Sequence, residues 1–261
     1  NQGLEFSTKV EWFKNENFKW STSFNIATLN SKVTELIGLG SDFSTAERAL
    51  AQRVGYSTST IWGIKWAGID PATGRDLVEV NGNVYDASNY NDIFTNADWE
   101  PIGDRQADAF GGFNNTFIIH KNLKIGIRGV FQIGGKRLIQ DELITNYNIT
   151  TNRNLSVNAF DYWRTQGDVA LQPAVTINPI VNNLSKYLYD DTNLRISNIN
   201  LSYQVPTNAI AFFKALSVNV DVTNVLYWYK DKSPKGRNGI KEFRFIYPQA
   251  RTISCGVNAQ F

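Results

Sequence analysis

Residues 250–261 read Ala-Arg-Thr-Ile-Ser-Cys-Gly-Val-Asn-Ala-Gln-Phe. In an extended strand, side chains alternate between two faces. Ile253, Cys255, Val257, Ala259 and Phe261 then share one side, and Thr252, Ser254, Gly256, Asn258 and Gln260 the other. A half-buried strand of a soluble sandwich carries the same alternation, but this stretch is about as long as a tilted strand needs to be to cross a bilayer. It also ends on an aromatic residue. The rest of the chain is therefore read for strands of the same kind.

Composition narrows the classes. Of 261 residues, 13% are aromatic and 19% charged, with a formal net charge of +2. Charges so nearly balanced offer no broad basic field, so nucleic acid is not an expected partner. No run of about 18 apolar residues occurs, which excludes a transmembrane helix but not a barrel, whose lumen-facing residues dilute every hydrophobic segment. Cys255 is the single cysteine; it forbids an internal disulfide and reads as a small lipid-facing or packing residue. His120, the single histidine, falls between two strand candidates and reads as a turn residue, so no metal or cofactor is expected. Asp161, Asp190 and Asp191 lack an accompanying base or nucleophile, so no catalytic residues are expected and the chain does not read as an enzyme. With neither a methionine nor a signal peptide, the sequence reads as a processed or partial polypeptide.

Period-two alternation recurs along the chain. Leu4, Phe6, Thr8, Val10 and Trp12 alternate with Glu5, Ser7, Lys9 and Glu11, and after Asn15-Glu16-Asn17 the pattern resumes with Phe18, Trp20, Thr22, Phe24 and Ile26. This predicts an antiparallel hairpin. Trp12, Phe13, Phe18 and Trp20 bunch around its turn, as an aromatic girdle at a membrane interface would, or as a soluble barrel hairpin could. A second hairpin is predicted over 109–119 and 123–133, turning at His120-Lys121-Asn122, and further strands over 194–205 and 215–226. With strands at 4–14, 18–28 and 250–261, the total is about seven.

Between them the connections alternate in length. The first and second hairpins turn within about three residues, whereas 30–108 and 134–192 are long excursions, and short turns on one side with long loops on the other mark a transmembrane barrel. The first excursion carries a short hairpin around Asn81-Gly82-Asn83; the second holds a helical pattern over Lys136–Asn146 and the aromatics Tyr162 and Trp163. Another loop carries Lys230, Lys232, Lys235 and Arg237. Sugar stacking or peptide contact by Tyr162 and Trp163 competes with plain packing of an ordered loop, and solvation of the basic run competes with contacts to lipopolysaccharide or partner carboxylates. Seven strands with two free edges do not close, and unpaired edge groups in hydrocarbon are costly, so the missing strands must come from another polypeptide.

Four stretches carry a resemblance: Tyr56 with Trp62–Gly74, Gly111–Phe117, Leu194–Pro206, and Tyr247–Thr252. In this order they resemble the C-terminal region of SusC/RagA-like TonB-dependent transporters of Bacteroidetes outer membranes. The final strand likewise resembles the insertion signal of outer-membrane barrels, with Phe261, Ala259 and Val257 carrying it. The resemblance implies an all-β fold, a transmembrane antiparallel β-barrel of about 22 strands. Residues 1–261 supply one C-terminal portion of it, and the plug domain and N-terminal strands lie outside this chain. It implies import of oligosaccharides or peptides, with a SusD-like lipoprotein as partner and the TonB complex engaged through the missing N-terminal part. Outer-membrane lipid and lipopolysaccharide surround such a protein, whose C-terminus is periplasmic. A structural or scaffold barrel within a larger envelope assembly is the alternative. The chain departs from the family in its Lys232-Ser233-Pro234-Lys235-Gly236-Arg237 run, where a Gly-Tyr-Asp-Pro type of sequence is common.

Overall fold

The computed structural model describes residues 1–35, 52–87, 99–138, 161–175, 183–206, 212–231 and 249–261. In chain order they form β1 (Gln2–Lys14), β2 (Phe18–Asn30), β3 (Thr60–Gly63), β4 (Lys65–Ile69), β5 (Asp76–Val80), β6 (Asn83–Asp86), β7 (Glu100–Asp104), β8 (Ala109–Ile119), β9 (Leu123–Ile133), β10 (Lys136–Leu138), β11 (Leu188–Asp190), β12 (Asn193–Val205), β13 (Ala215–Tyr229) and β14 (Thr252–Gln260). The seven long strands make one antiparallel sheet in the order β1, β2, β8, β9, β12, β13, β14, and it is not closed. Each coincides with a strand expected from the alternation. A 3-10 turn at Ser185–Tyr187 lies in a loop. The helical reading of Lys136–Asn146 needs correction at its start: Lys136–Leu138 is strand β10, because these residues pair with Leu188–Asp190. Its continuation, 139–146, lies outside the described residues.

Register carries each face across the whole sheet. Cys255 lies opposite Val220, then follow Leu201, Ile125, Phe117, Trp20 and Phe13. One residue along, Ser254 lies opposite Asp221, then Asn200, Gly126, Thr116, Ser21 and Glu11. The first row is apolar and the second polar, so the period-two pattern of each strand has become a face of the assembled sheet. Nothing among the described residues covers the apolar face: Leu4 is 80% exposed, and Ile253, Val257 and Phe261 are each 66% exposed. Side chains of this kind left in water forgo about 1.5–3 kcal/mol apiece, so the sheet fits a hydrocarbon surround. Polar groups on this face are satisfied internally: Trp12 Nε1 donates to Thr22 Oγ1 at 2.9 Å, and Trp20 Nε1 to Asn115 Oδ1 at 3.0 Å. Phe113 lies over the bare backbone of Gly129, opposite it, so closely that a Cβ on Gly129 would fall 2.4 Å from the ring.

The short connections share one edge. Asn15 Oδ1 accepts from the backbone N–H groups of Asn17 and Phe18, and His120 and Lys121 turn at φ 48 and 63. His120 N donates to Asn17 O at 2.7 Å, and Gln204 N to Asn122 O at 2.8 Å, so neighbouring turns are fastened to one another. Aromatics cluster there: Trp12, Phe13, Phe18 and Phe117 ring Trp20 and one another at 5.6–6.5 Å, and Phe261 meets Phe212 and Phe213 at 5.3 and 5.2 Å. A bulge between Glu11 and Phe13 brings Trp12 and Phe13 to the same girdle.

Candidate functional site

The long connections at the opposite edge build a cap, and the hydrophobic core lies there. Ile64, Val78, Val80, Ala87, Leu184 and Tyr187 form one buried cluster, with Trp66 and Leu138 packed against it. All the buried hydrophobics among the described residues lie outside the seven-stranded sheet. The segment after β2 contributes two small sheets, β3 with β7 and β4-β5-β6. Asn81 and Gly82, both at positive φ, make the turn between β5 and β6 that the Asn-Gly pair predicts. The segment after β9 contributes β10 with β11 and the 3-10 turn.

The two segments interlock. Ile64 and Leu184 form a parallel bridge, with Ile64 N donating to Asn183 O and Ser185 N to Ile64 O, both at 3.0 Å. Gly63 is required at this crossing, since a Cβ there would fall 2.0 Å from Asn183 O. Beside it is a buried ion pair: Lys186 Nζ lies 2.9 Å from Asp76 Oδ1, with side chains only 5% and 2% exposed. Trp66 Nε1 donates to the same Asp76 oxygen at 2.8 Å, and the Lys186 ammonium stands 5.3 Å from the Trp66 ring and 5.0 Å from that of Tyr187. Burial pulls the Lys186 ammonium below its ordinary value, against the opposing pull of Asp76.

Ion pairs join β10 to β11 within the cap and tie β11 to the end of β13. Asp190 pairs with Lys230 at 3.0 Å and Lys136 at 3.6 Å, and Arg137 with Asp191 at 2.8 Å. The Thr192 side chain and backbone, helped by the two lysines, hold the Asp190 carboxyl well below the usual carboxylate range. Lys230, from the basic run, is thus engaged within the protein; Lys232, Lys235 and Arg237 lie outside the described residues.

Tyr162 and Trp163 lie in the cap, against the turn of the first segment. Trp163 Nε1 donates to Pro71 O at 3.0 Å, and its ring fills the space over Gly74, where a Cβ would be 2.5 Å from it. Tyr162 is half-buried, with the Arg164 guanidinium 5.0 Å from its ring centre. Phe261, Ala259 and Val257 line the exposed apolar side of β14. Asp76, Lys186 and Trp66 were not legible as a unit, because nothing in the spacing of a lysine and an aspartate 110 residues apart announces a pair. Among the described residues no group of His, Cys, Asp or Glu is placed to hold a metal.

Long antiparallel strands with one uncovered apolar face, short turns at one edge and a loop cap at the other have the architecture of the wall of a transmembrane β-barrel. No family model matches the chain. Its whole length is similar to two proteins of Formosa agariphila, TonB-dependent receptor P26, 25% identical over 289 residues, and TonB-dependent receptor P3, 24% identical over 290. The chain spans 29% and 28% of those relatives. Among solved structures it resembles the RagAB peptide importer in its closed-closed state (TM-score 0.78, 19% identity, 99% of this chain and 29% of that one). It also resembles the open-open state (0.77, 18%, 99% and 28%). The similarity to TonB-dependent receptors therefore runs along the entire chain.

Proposed function

We propose that this chain is the C-terminal wall and part of the extracellular cap of a nutrient importer in a bacterial outer membrane, working as a SusC-like transporter with a SusD-like lipoprotein. The cap carries the proposal: two long loops fold into one body with its own core, more structure than a pore needs. The plug domain, the first strands of the barrel and the contact to TonB belong to the remainder of the protein, and β14 ends at the periplasmic side. Phe261, Ala259 and Val257 form the signal by which the barrel is inserted. Similarity to receptors so named and to a solved peptide importer supports uptake of oligosaccharide or peptide, the peptide being favoured by the solved neighbours. Tyr162 is the loop aromatic proposed to meet cargo, because Trp163 is occupied with Gly74 and Pro71.

The test is co-purification of a surface lipoprotein with the full-length protein from outer membranes. Replacing 139–182 by a short Gly/Ser linker keeps β10 and the Leu184–Tyr187 part of the core, and is expected to lower the yield of lipoprotein while leaving folded barrel in the membrane. Undiminished recovery would sink the partnership. Uptake of labelled peptide and labelled oligosaccharide by cells carrying the wild-type protein or Tyr162→Ala separates the two cargo classes.

A further inference from the structure

The pairing of β13 with β14 stops well before β13 ends at Tyr229. Its last pair is Thr223 with Thr252. Beyond it the register of β12 shifts between Ile196 and Asn198 against both neighbours, and Asn224 takes a left-handed backbone at φ 55. A non-glycine residue holds such a conformation when its short polar side chain is bonded locally. Where backbone pairing stops, side chains replace it. Asn224 Nδ2 donates to Ala250 O and Arg251 Nη2 to Val225 O, each at 2.8 Å. Arg195, stacked 4.8 Å from the centre of the Tyr227 ring, donates from Nη2 to Asn224 Oδ1 at 2.5 Å and Gln249 Oε1 at 2.8 Å. The Tyr227 hydroxyl, with one proton to give, lies 3.0 Å from the first of these oxygens and 2.8 Å from the second.

Alternation alone cannot say where β14 sits along β13. A slip by one residue would turn Val257 into the lumen, but a slip by two returns every side chain to its own face. Leu216, Val218, Val220 and Val222 are then near-equivalent partners for Ala259, Val257, Cys255 and Ile253. At the other end Phe261 rests on Phe212 and Phe213, whose burial of apolar surface is far less demanding of position than a hydrogen bond. Hydrogen bonds weaken steeply when displaced. We propose that Arg195, Asn224, Tyr227 and Gln249 form a register clamp, which selects one of the equivalent pairings by holding the residues before β14 against the bulge of β13.

The lone Cys255 makes this measurable. Val220 lies opposite it, and Val218 and Val222 are the partners it would acquire after a two-residue slip. Directly opposed residues are about 4.5–5.5 Å apart and diagonal ones about 7–8 Å, and a disulfide spans only the former without backbone movement. Val218→Cys, Val220→Cys and Val222→Cys are placed singly in the full-length protein and treated in outer membranes with Cu(II)-phenanthroline. The oxidant takes two electrons from a facing thiol pair as the S–S bond forms and two protons leave. Only heat-modifiable, folded molecules are scored. With the clamp intact, Val220→Cys alone should cross-link. In Gln249→Ala and in Tyr227→Phe backgrounds the product should spread from that single position to Val218→Cys or Val222→Cys. Cross-linking that stays confined to Val220→Cys overturns the proposal, and so does a fall in folded protein whose survivors keep that pairing, for the cluster would then stabilise without selecting. Absence of the Val220→Cys product in the unmodified background overturns it as well, because β14 would not pair as described.

Discussion

The sheet and its cap are stabilised by opposite means. The sheet keeps its apolar side chains on an outer surface and draws its order from hydrogen-bonded ladders and facing side-chain pairs, whereas the cap uses strands of three to five residues wrapped around a buried cluster with an ion pair inside. A structure assembled for hydrocarbon needs no interior of its own. A structure held out in water does, and here it takes that interior from two segments far apart in sequence. The same substitution type should therefore act differently in the two regions.

The largest expected effect is in the cap. Lys186→Ala leaves the Asp76 carboxylate buried beside Trp66, a loss of about 3–5 kcal/mol, seen as faster hydrogen exchange and proteolysis of residues 60–87 and 183–191. Heat-modifiability of the barrel should be unchanged. Lys186→Met combined with Asp76→Leu should recover most of the loss, since replacing both charges by apolar groups of similar volume is often neutral or better. A barrel that fails together with the cap would show that the two are one cooperative unit.

Next comes the sheet, where the test is which face carries a charge. Val257→Lys places an ammonium on the lipid side at a cost of about 2–4 kcal/mol near mid-bilayer, while Asn258→Lys faces the lumen and should fold as wild type. Folded barrel in outer-membrane fractions is the readout. Equal folding of the two, or a worse result for Asn258→Lys, would reverse the faces.

The smallest effect is expected at the seam. The Asp190 carboxyl is held below its ordinary value, so its contribution is present above the unfolded carboxylate range and is lost as pH falls from about 4 towards the lower folded value. Exchange of residues 183–191 should rise in that acidic window while the β13–β14 ladder stays protected, and Asp190→Asn should remove that part of the pH dependence. An equal rise in both regions would dissolve the distinction between cap and sheet.

These differences also explain what was readable in the sequence. The seven strands announced themselves because a half-solvated strand writes its burial into every second residue, and loop length marked the two edges. The bulges did not: at Trp12-Phe13 both neighbours are aromatic, so the extra residue hides in the pattern, and at Ser197 and Asn224 it falls among polar residues that fit either face. The cap was the least legible part. Its strands are too short to show a period, Lys136–Leu138 carries a helical pattern that its pairing with Leu188–Asp190 overrides, and its ion pair depends on a crossing that only the assembled loops create. Of the named loop aromatics, Trp163 could be read as packing in an ordered loop as well as contacting cargo, but not assigned to Gly74, since the turn that receives it lies some 90 residues earlier.

The interlocking of the two loops bears on the order in which the molecule can form. Trp66 and Asp76 find their partners, Ser185 and Lys186, respectively 119 and 110 residues further along the chain, and separations of that size make slow contacts. Until the later segment arrives, the earlier one has an apolar surface without a cover, the kind of intermediate that aggregates. Its maturation must then be a late event, following the placement of β9 and β12 that carries the second loop across to the first.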